Sequence, residues 1–220
     1  MGFRLLWIRS MANRSKRRSS GRKWNTRKPR QLILIVCEGE KTEPNYFKAF
    51  RKEARAANIQ IEVEGTGSNT FSLVQKKAQH ICDELRKEGV EFDQVWCVFD
   101  KDDFPDNNVK KAFALAKKSD FQIAYSNESF GLWYLLHYDF ITAGLSRDLL
   151  CTKLTERLGQ SYRKNDEAMY ETLLSRQATA IQNAKRLLLS YNNSCLEKPC
   201  LNPSTTVVFL VESLNKEINR

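Results

Sequence analysis

Gln31–Cys37 limits what this chain can fold into more than any other stretch: a strand-length run rich in β-branched residues that stops without a spacer at Glu38-Gly39-Glu40-Lys41. An apolar run of this length reads as a β-strand buried on both faces, the kind found in parallel sheets covered by helices. Thr42 and Pro44 then read as the N-cap and an early first-turn residue of a helix. Glu38, Gly39, Glu40 and Lys41 therefore fall at the carboxyl end of a strand, where open α/β sheets bind their ligands.

The pattern recurs. Residues 92–99 form a second greasy strand, with Val95-Trp96-Cys97-Val98-Phe99 at its heart, and it ends in Asp100-Lys101-Asp102-Asp103. Between the two, residues 42–57 carry a helical face of Tyr46, Phe47, Phe50 and Ala54, residues 59–63 alternate as a strand, and residues 71–87 read as a helix. A helix at 109–118 and a strand at 121–125 follow. This alternation predicts an α/β fold with a parallel four-stranded sheet flanked by helices, all four carboxyl ends on one edge. A buried helix is expected from Asn127 or Glu128 to His137, then helices at 149–158, 166–190 and 205–219, the last opened by Asn202-Pro203-Ser204-Thr205. Residues 31–140 thus form the α/β domain, and 141–220 a helical extension packed on the same domain.

The formal charge of +10 is unevenly placed. Residues 1–30 hold 11 Lys/Arg and no Asp/Glu, leaving 25 basic and 26 acidic residues beyond them. The globular part is near neutral, so attraction to nucleic acid would act through a basic arm with too little apolar material to fold alone. The opening residues 1–8 are too short and Arg-interrupted for a signal peptide, and Met11 is as good a start as Met1. No run reaches the length of a membrane span. The six cysteines are scattered, with no Cys-x-x-Cys pair, and Cys195 and Cys200 lack nearby histidines, as expected for free thiols in a cytoplasmic protein rather than a zinc site.

Adjacent parallel strands would set Glu38 against Asp100 and Asp102, two residues that leave the strand pointing the same way. Carboxylates gathered like this raise one another's proton affinity unless a cation relieves them, and an all-oxygen set selects Mg²⁺ or Mn²⁺. Such a cation activates water and stabilises phosphoryl oxygens, leaving Glu38 as general acid or base. Lys41 joins Glu38 as a catalytic candidate through a phosphate contact, against a plain solvated surface lysine. Glu40 and Asp103 adjoin these positions, with Glu40 and Glu43 also suited to orienting the turn and the helix. The loop Gly65-Thr66-Gly67-Ser68-Asn69-Thr70 could offer the N–H groups of Gly67, Ser68 and Asn69 to a phosphate, against a plain strand-to-helix connection. His137 ends an apolar helix, a position that suits a core residue better than a site residue. Tyr46, Phe47 and Trp133 are expected in the core.

A strand ending in Glu-Gly followed by one ending in Asp-x-Asp resembles the Toprim metal-binding domain shared by topoisomerases, primases and OLD-type nucleases. The fuller resemblance is to the RloB-like family. It rests on Cys37-Glu38-Gly39-Glu40-Lys41-Thr42-Glu43-Pro44 with Tyr46-Phe47, on Val98 to Asp103, on Ser126-Asn127 leading to Leu132-Trp133-Tyr134-Leu135-Leu136-His137, and on Asn202-Pro203-Ser204-Thr205. It covers residues 31–214. It implies a Toprim-like nuclease of prophage-exclusion or abortive-infection systems, often paired with an AAA-type ATPase, with Glu38 as general acid/base and Asp100 and Asp102 as metal ligands. One departure stands out: the family tends to carry a glutamate just before Leu-Trp, where this chain has Gly131. Glu128, one helical turn earlier, is the candidate replacement. The expected function is metal-dependent cleavage of RNA, tRNA among the candidates, or DNA, in antiphage defence. The alternatives are a non-catalytic metal- or nucleotide-binding module that regulates or docks to the ATPase, and a docking surface on the C-terminal helices.

Overall fold

β1, Gln31–Cys37, is flanked on both sides by parallel partners, β2 at Ile59–Gly65 and β3 at Gln94–Asp100. The computed structural model describes residues 31–56, 59–65, 67, 73–101, 105–191 and 201–219. β4, Gln122–Asn127, continues the parallel set beside β3. Ile33 to Cys37 are buried on alternating faces, which is why the strand reads as unbroken grease.

The sheet is not the four-stranded parallel one expected. It has five strands in the order β2-β1-β3-β4-β5 and is mixed, because β5, Ser204–Thr205, pairs antiparallel with the end of β4. Two residues are too few to show a period, and the Asn-Pro-Ser-Thr motif instead reads as a helix start. Its polar side chains are spent on the sheet edge. Ser126 and Thr205 share a hydroxyl–hydroxyl hydrogen bond of 3.0 Å, while Thr206 Oγ1 accepts from Tyr125 N–H at 2.9 Å and donates to the Ile123 carbonyl at 3.2 Å.

One face of the sheet is covered by α1, Thr42–Ala56, whose Tyr46, Phe47 and Phe50 interlock edge-on with Phe130, Tyr134 and Tyr170. The other face carries α2, Gln79–Lys87, preceded by a π-helical turn at Leu73–Ala78, and α3, Asp106–Lys118. Thr42 is not the N-cap of α1. It lies inside the helix, and its hydroxyl donates to the Lys164 carbonyl at 2.6 Å.

After β4 the expected long helix is reduced to α4, Gly131–Leu135, because the strand runs on to Asn127. α5, Arg147–Leu158, follows with Ser146 as N-cap and Gly159 in the left-handed conformation at its end. The expected helix at 166–190 is two, α6 at Met169–Leu174 and α7 at Gln177–Ser190. The break falls at Arg176, whose guanidinium lies over the Tyr138 ring at 5.0 Å. α8, Val207–Ile218, closes the fold. Leu150, Leu154, Leu173, Ala184 and Leu210 join the α1 face in one cluster, so residues beyond 141 extend the same core. No helix among the described residues is long and apolar enough to cross a membrane.

Candidate active site

Glu38 is held by its backbone before its side chain acts. Its N–H continues the β1–β3 ladder by donating to Val98 O at 2.8 Å, and its carbonyl accepts from Gly67 N–H at 2.8 Å. The side chain turns toward β3, where Glu38 Oε2 accepts from the Asp100 N–H at 3.2 Å. The strand ends thus bring Glu38 and Asp100 together, as the sequence predicts. The Phe130 N–H acts on the Asp100 carboxylate electrostatically, and Asp100 Oδ1 is buried with no hydrogen-bond partner among the described residues.

Glu43 is the third acid at this edge. It stands in the first turn of α1, buried at 6% exposure, with its own backbone N–H acting on the carboxylate. Its Oε2 occupies the space that a Cβ at position 39 would take, so Gly39 is what lets the glutamate fold back onto the turn. The positive end of the helix favours a carboxylate there.

The crowding has electrostatic consequences. Burial first, then the charges of Glu43 and Glu38, push Asp100 well above the ordinary aspartate range, against the pull of the Phe130 N–H and the Arg147 guanidinium. Burial likewise raises Glu43, opposed by its backbone hydrogen bond and by Lys164. The Cys37 thiol behind them is pushed up by burial and by Glu43. The other buried thiols are inert for the same desolvation reason, Cys82 at about 11 and Cys97 at about 12.

A hard divalent cation suits this chemistry. The donors are all carboxylate oxygens, one is buried with no hydrogen-bond partner among the described residues, and their mutual repulsion is what a cation would relieve. Glu38 and Asp100 are the pair that would hold it. Among the described residues no three His, Cys, Asp or Glu are grouped to enclose a metal, and Asp102 and Asp103 lie outside those residues.

A model of the family described as RloB-like protein matches residues 33–214. The chain belongs to the RloB-like family. Comparisons with curated proteins and with solved structures return no match. The RloB-like match begins inside β1 and ends in α8, so both acidic strand ends and the helices packed behind them fall within it.

The remaining candidates of this RloB-like chain are scattered around the fold, and His137 is in the core as its place at the end of an apolar helix suggests. Gly67 spends its N–H on the Glu38 carbonyl rather than offering it to a phosphate, so the glycine loop positions Glu38; Ser68 and Asn69 lie outside the described residues. Glu40 is exposed, with Oε1 lying 2.9 Å from where a Cβ of Gly67 would stand, and Lys41 is exposed at the same turn. Glu128 accepts from Asn202 Nδ2 at 3.2 Å. At Gly131 a Cβ would overlap Leu150 Cδ2, because α5 packs directly against that glycine. His137 is a fully buried core residue: Nδ1 donates to Trp133 O at 2.9 Å, the ring packs edge-on to Trp133, and burial lowers its pKa to about 4. Lys101 turns away to pair with Asp106 at 3.2 Å.

Sequence reasoning passed over Glu43 as a turn-orienting residue and missed Arg147 and Lys164 altogether. Glu43 carries a signal, a glutamate in the first turn behind a glycine. The two cations carry none, since only tertiary packing brings them to the edge.

Proposed function

We propose that this RloB-like chain is a divalent-metal-dependent nuclease that cleaves nucleic-acid phosphodiester bonds, on a Toprim-like arrangement of the four parallel strands. The observation that carries the reading is the buried Asp100 Oδ1, without a hydrogen-bond partner among the described residues, beside Glu38 at the carboxyl edge of adjacent parallel strands. Leaving a carboxylate oxygen dry and unpaired costs on the order of several kcal/mol, a cost that persists in functional sites because a ligand removes it.

Glu38 and Asp100 would hold Mg²⁺ or Mn²⁺, with Asp102 as the third ligand. When bound, the cation lowers the pKa of water and stabilises charge on phosphoryl oxygens. Glu38, fixed by its backbone on two sides and by the Asp100 N–H, takes or gives the proton at the attacking or leaving oxygen. Lys41 at the exposed turn and the basic arm at 1–30 draw the nucleic acid to the edge in a salt-dependent manner. RNA, tRNA and DNA are all compatible with this chemistry, and antiphage defence beside an AAA-type ATPase is the setting that family membership suggests.

The test is incubation of purified protein with labelled RNA, tRNA, single-stranded DNA and duplex DNA in Mg²⁺, Mn²⁺ or EDTA. Cleavage with either cation, abolished by EDTA and by Glu38→Gln or Asp100→Asn, is expected. Activity unchanged in the Glu38→Gln, Asp100→Asn double variant rejects the site. Mn²⁺ binding without turnover of any nucleic acid assigns the edge to a regulatory module instead.

A further inference from the structure

At the opposite edge of the sheet, where the strands begin, two bonds stitch the loop entering β3 to β1: Asp93 donates its N–H to Leu32 O at 2.9 Å and accepts the Leu32 N–H on Oδ2 at 2.7 Å. The turn entering β4 is equally tight. Phe121 N–H returns to Ala116 O at 2.8 Å, and Asp120 takes the left-handed conformation, φ 58°, which a short polar side chain tolerates. Between these two connections and α2 lies a cavity of about 260 Å³. β3 runs from this cavity to Asp100, so about 20 Å separates it from the acidic edge.

The lining combines apolar walls with acids. Cys82, Val95, Phe92 and Phe121 are buried or part-buried, whereas Glu91, Asp93 and Asp120 are exposed. Arg86 is the one cation of the lining among the described residues, and it already pairs with Glu91 and with Asp83 at 3.7 Å each. Asp93 and Asp120 have no ion-pair partner among the described residues. Gln122, at the start of β4, lines the same cavity, and its Oε1 is buried with no hydrogen-bond partner among the described residues. A buried unmet acceptor next to unpaired carboxylates and apolar walls calls for a ligand that donates N–H groups, carries positive charge and has an apolar stem. The acids turn a phosphate away, and the volume falls below the roughly 300–1,000 Å³ of drug-sized sites, so the ligand is small.

We infer that this cavity binds a small organic cation, a primary ammonium or guanidinium on a short alkyl stem. The head is held by Asp93, Asp120 and Gln122 Oε1, and the stem lies along Phe92 and Phe121. The Leu32 N–H fixes one oxygen of Asp93, which orients the carboxylate and leaves its other oxygen to the ligand. This binding site goes beyond the nuclease reading and does not depend on it.

The experiment is isothermal titration of the full chain with n-butylamine and n-butylguanidine, and with butyrate and n-butanol as anionic and neutral controls. Both cations are expected to bind with Kd on the order of 1 mM or tighter, and the controls about tenfold more weakly. Asp93→Asn keeps an oxygen for the Leu32 N–H, and Asp120→Asn keeps a side chain that tolerates positive φ; each should weaken both cations by about tenfold. Gln122→Met, which removes the unmet acceptor, should weaken them as well. Glu84→Gln removes an exposed acid paired with Lys87 outside the cavity and should leave Kd unchanged. Binding retained by the Glu38→Gln, Asp100→Asn chain supports this cavity, whereas binding lost there assigns the cation to the acidic edge and overturns the inference. No binding of either cation, butyrate binding as tightly as butylamine, or an unchanged Kd in Asp93→Asn and Asp120→Asn overturns it equally. The tighter of the two heads decides between an amine and a guanidine as the ligand class.

Discussion

The close contact between Gly131 and Leu150 can be tested quantitatively. A Cβ at 131 would overlap Leu150 Cδ2 and touch Leu154 Cδ1 at 3.4 Å, and both leucines are buried, so neither can swing aside without displacing the core. Forcing an extra methyl into such packing costs about 1–3 kcal/mol, against which a helical Gly→Ala change returns about 0.5–1 kcal/mol. Gly131→Ala should therefore destabilise by up to about 2 kcal/mol, a fall in Tm of a few degrees for a chain this size. Leu150→Ala alone should cost about 2–5 kcal/mol as a cavity. In the double variant the overlap is gone and the alanine fills part of the cavity, so the pair should be less destabilised than the sum by about 1–3 kcal/mol. Urea titrations of the four proteins, compared at constant m, give this coupling. Additivity within about 0.5 kcal/mol would refute the contact.

Titration gives a second prediction. Asp100 and Glu43 hold protons more tightly folded than unfolded, so the metal-free protein should lose stability as pH rises from the ordinary carboxylate range through their raised values, and Asp100→Asn should flatten that fall and stabilise the metal-free protein at neutral pH. An Asp100→Asn variant no more stable than wild type at neutral pH would contradict it. His137 acts with the opposite sign: its neutral form is favoured when folded, so it contributes a loss of about 3 kcal/mol as pH falls from the ordinary histidine value to about 4, and His137→Phe should remove that acid-side slope without affecting cleavage. Mn²⁺ at about a hundred times its Kd should add about 2.7 kcal/mol of stability by mass action, read as a Tm rise, and a rise that survives in Glu38→Gln, Asp100→Asn would rule out that pair as ligands. Thr206→Val should cost about 1–3 kcal/mol by leaving the Tyr125 N–H and Ile123 carbonyl short of a partner, a loss that urea unfolding would detect or deny.

What could be read in advance followed the range of the interactions involved. β1 and β3 were legible because each is a run of apolar residues buried on both faces, β2 because its apolar residues alternate with polar ones, and the Glu38–Asp100 pairing followed from the adjacency of β1 and β3. β5 was not legible, since two residues held by hydroxyl hydrogen bonds have no hydrophobic period. The split between α6 and α7 was hidden for a similar reason: Arg176 keeps the helical pattern while its guanidinium leaves it for Tyr138. The Glu38-to-Glu43 turn showed three acids that looked alike, and only the space vacated by Gly39 separates the buried Glu43 from the exposed Glu40. Arg147 and Lys164 are surface-like charges in sequence, and nothing short of the fold distinguishes them from their neighbours.

The Asn202–Thr206 corner sets a condition on synthesis. Asn202 exchanges hydrogen bonds with the backbone of Leu145, accepting its N–H and donating to its carbonyl at 3.1 Å each, and Thr206 holds Tyr125 on the last stretch of β4. Every group at the acidic edge that comes after β4, from the Phe130 N–H to Arg147, therefore depends on a corner that leaves the ribosome late. A nascent chain presents Glu38 and Asp100 long before that corner exists to square the edge around them. A fragment cut at Tyr125 would keep both acids and lose the later residues that pack with α1 in the same core.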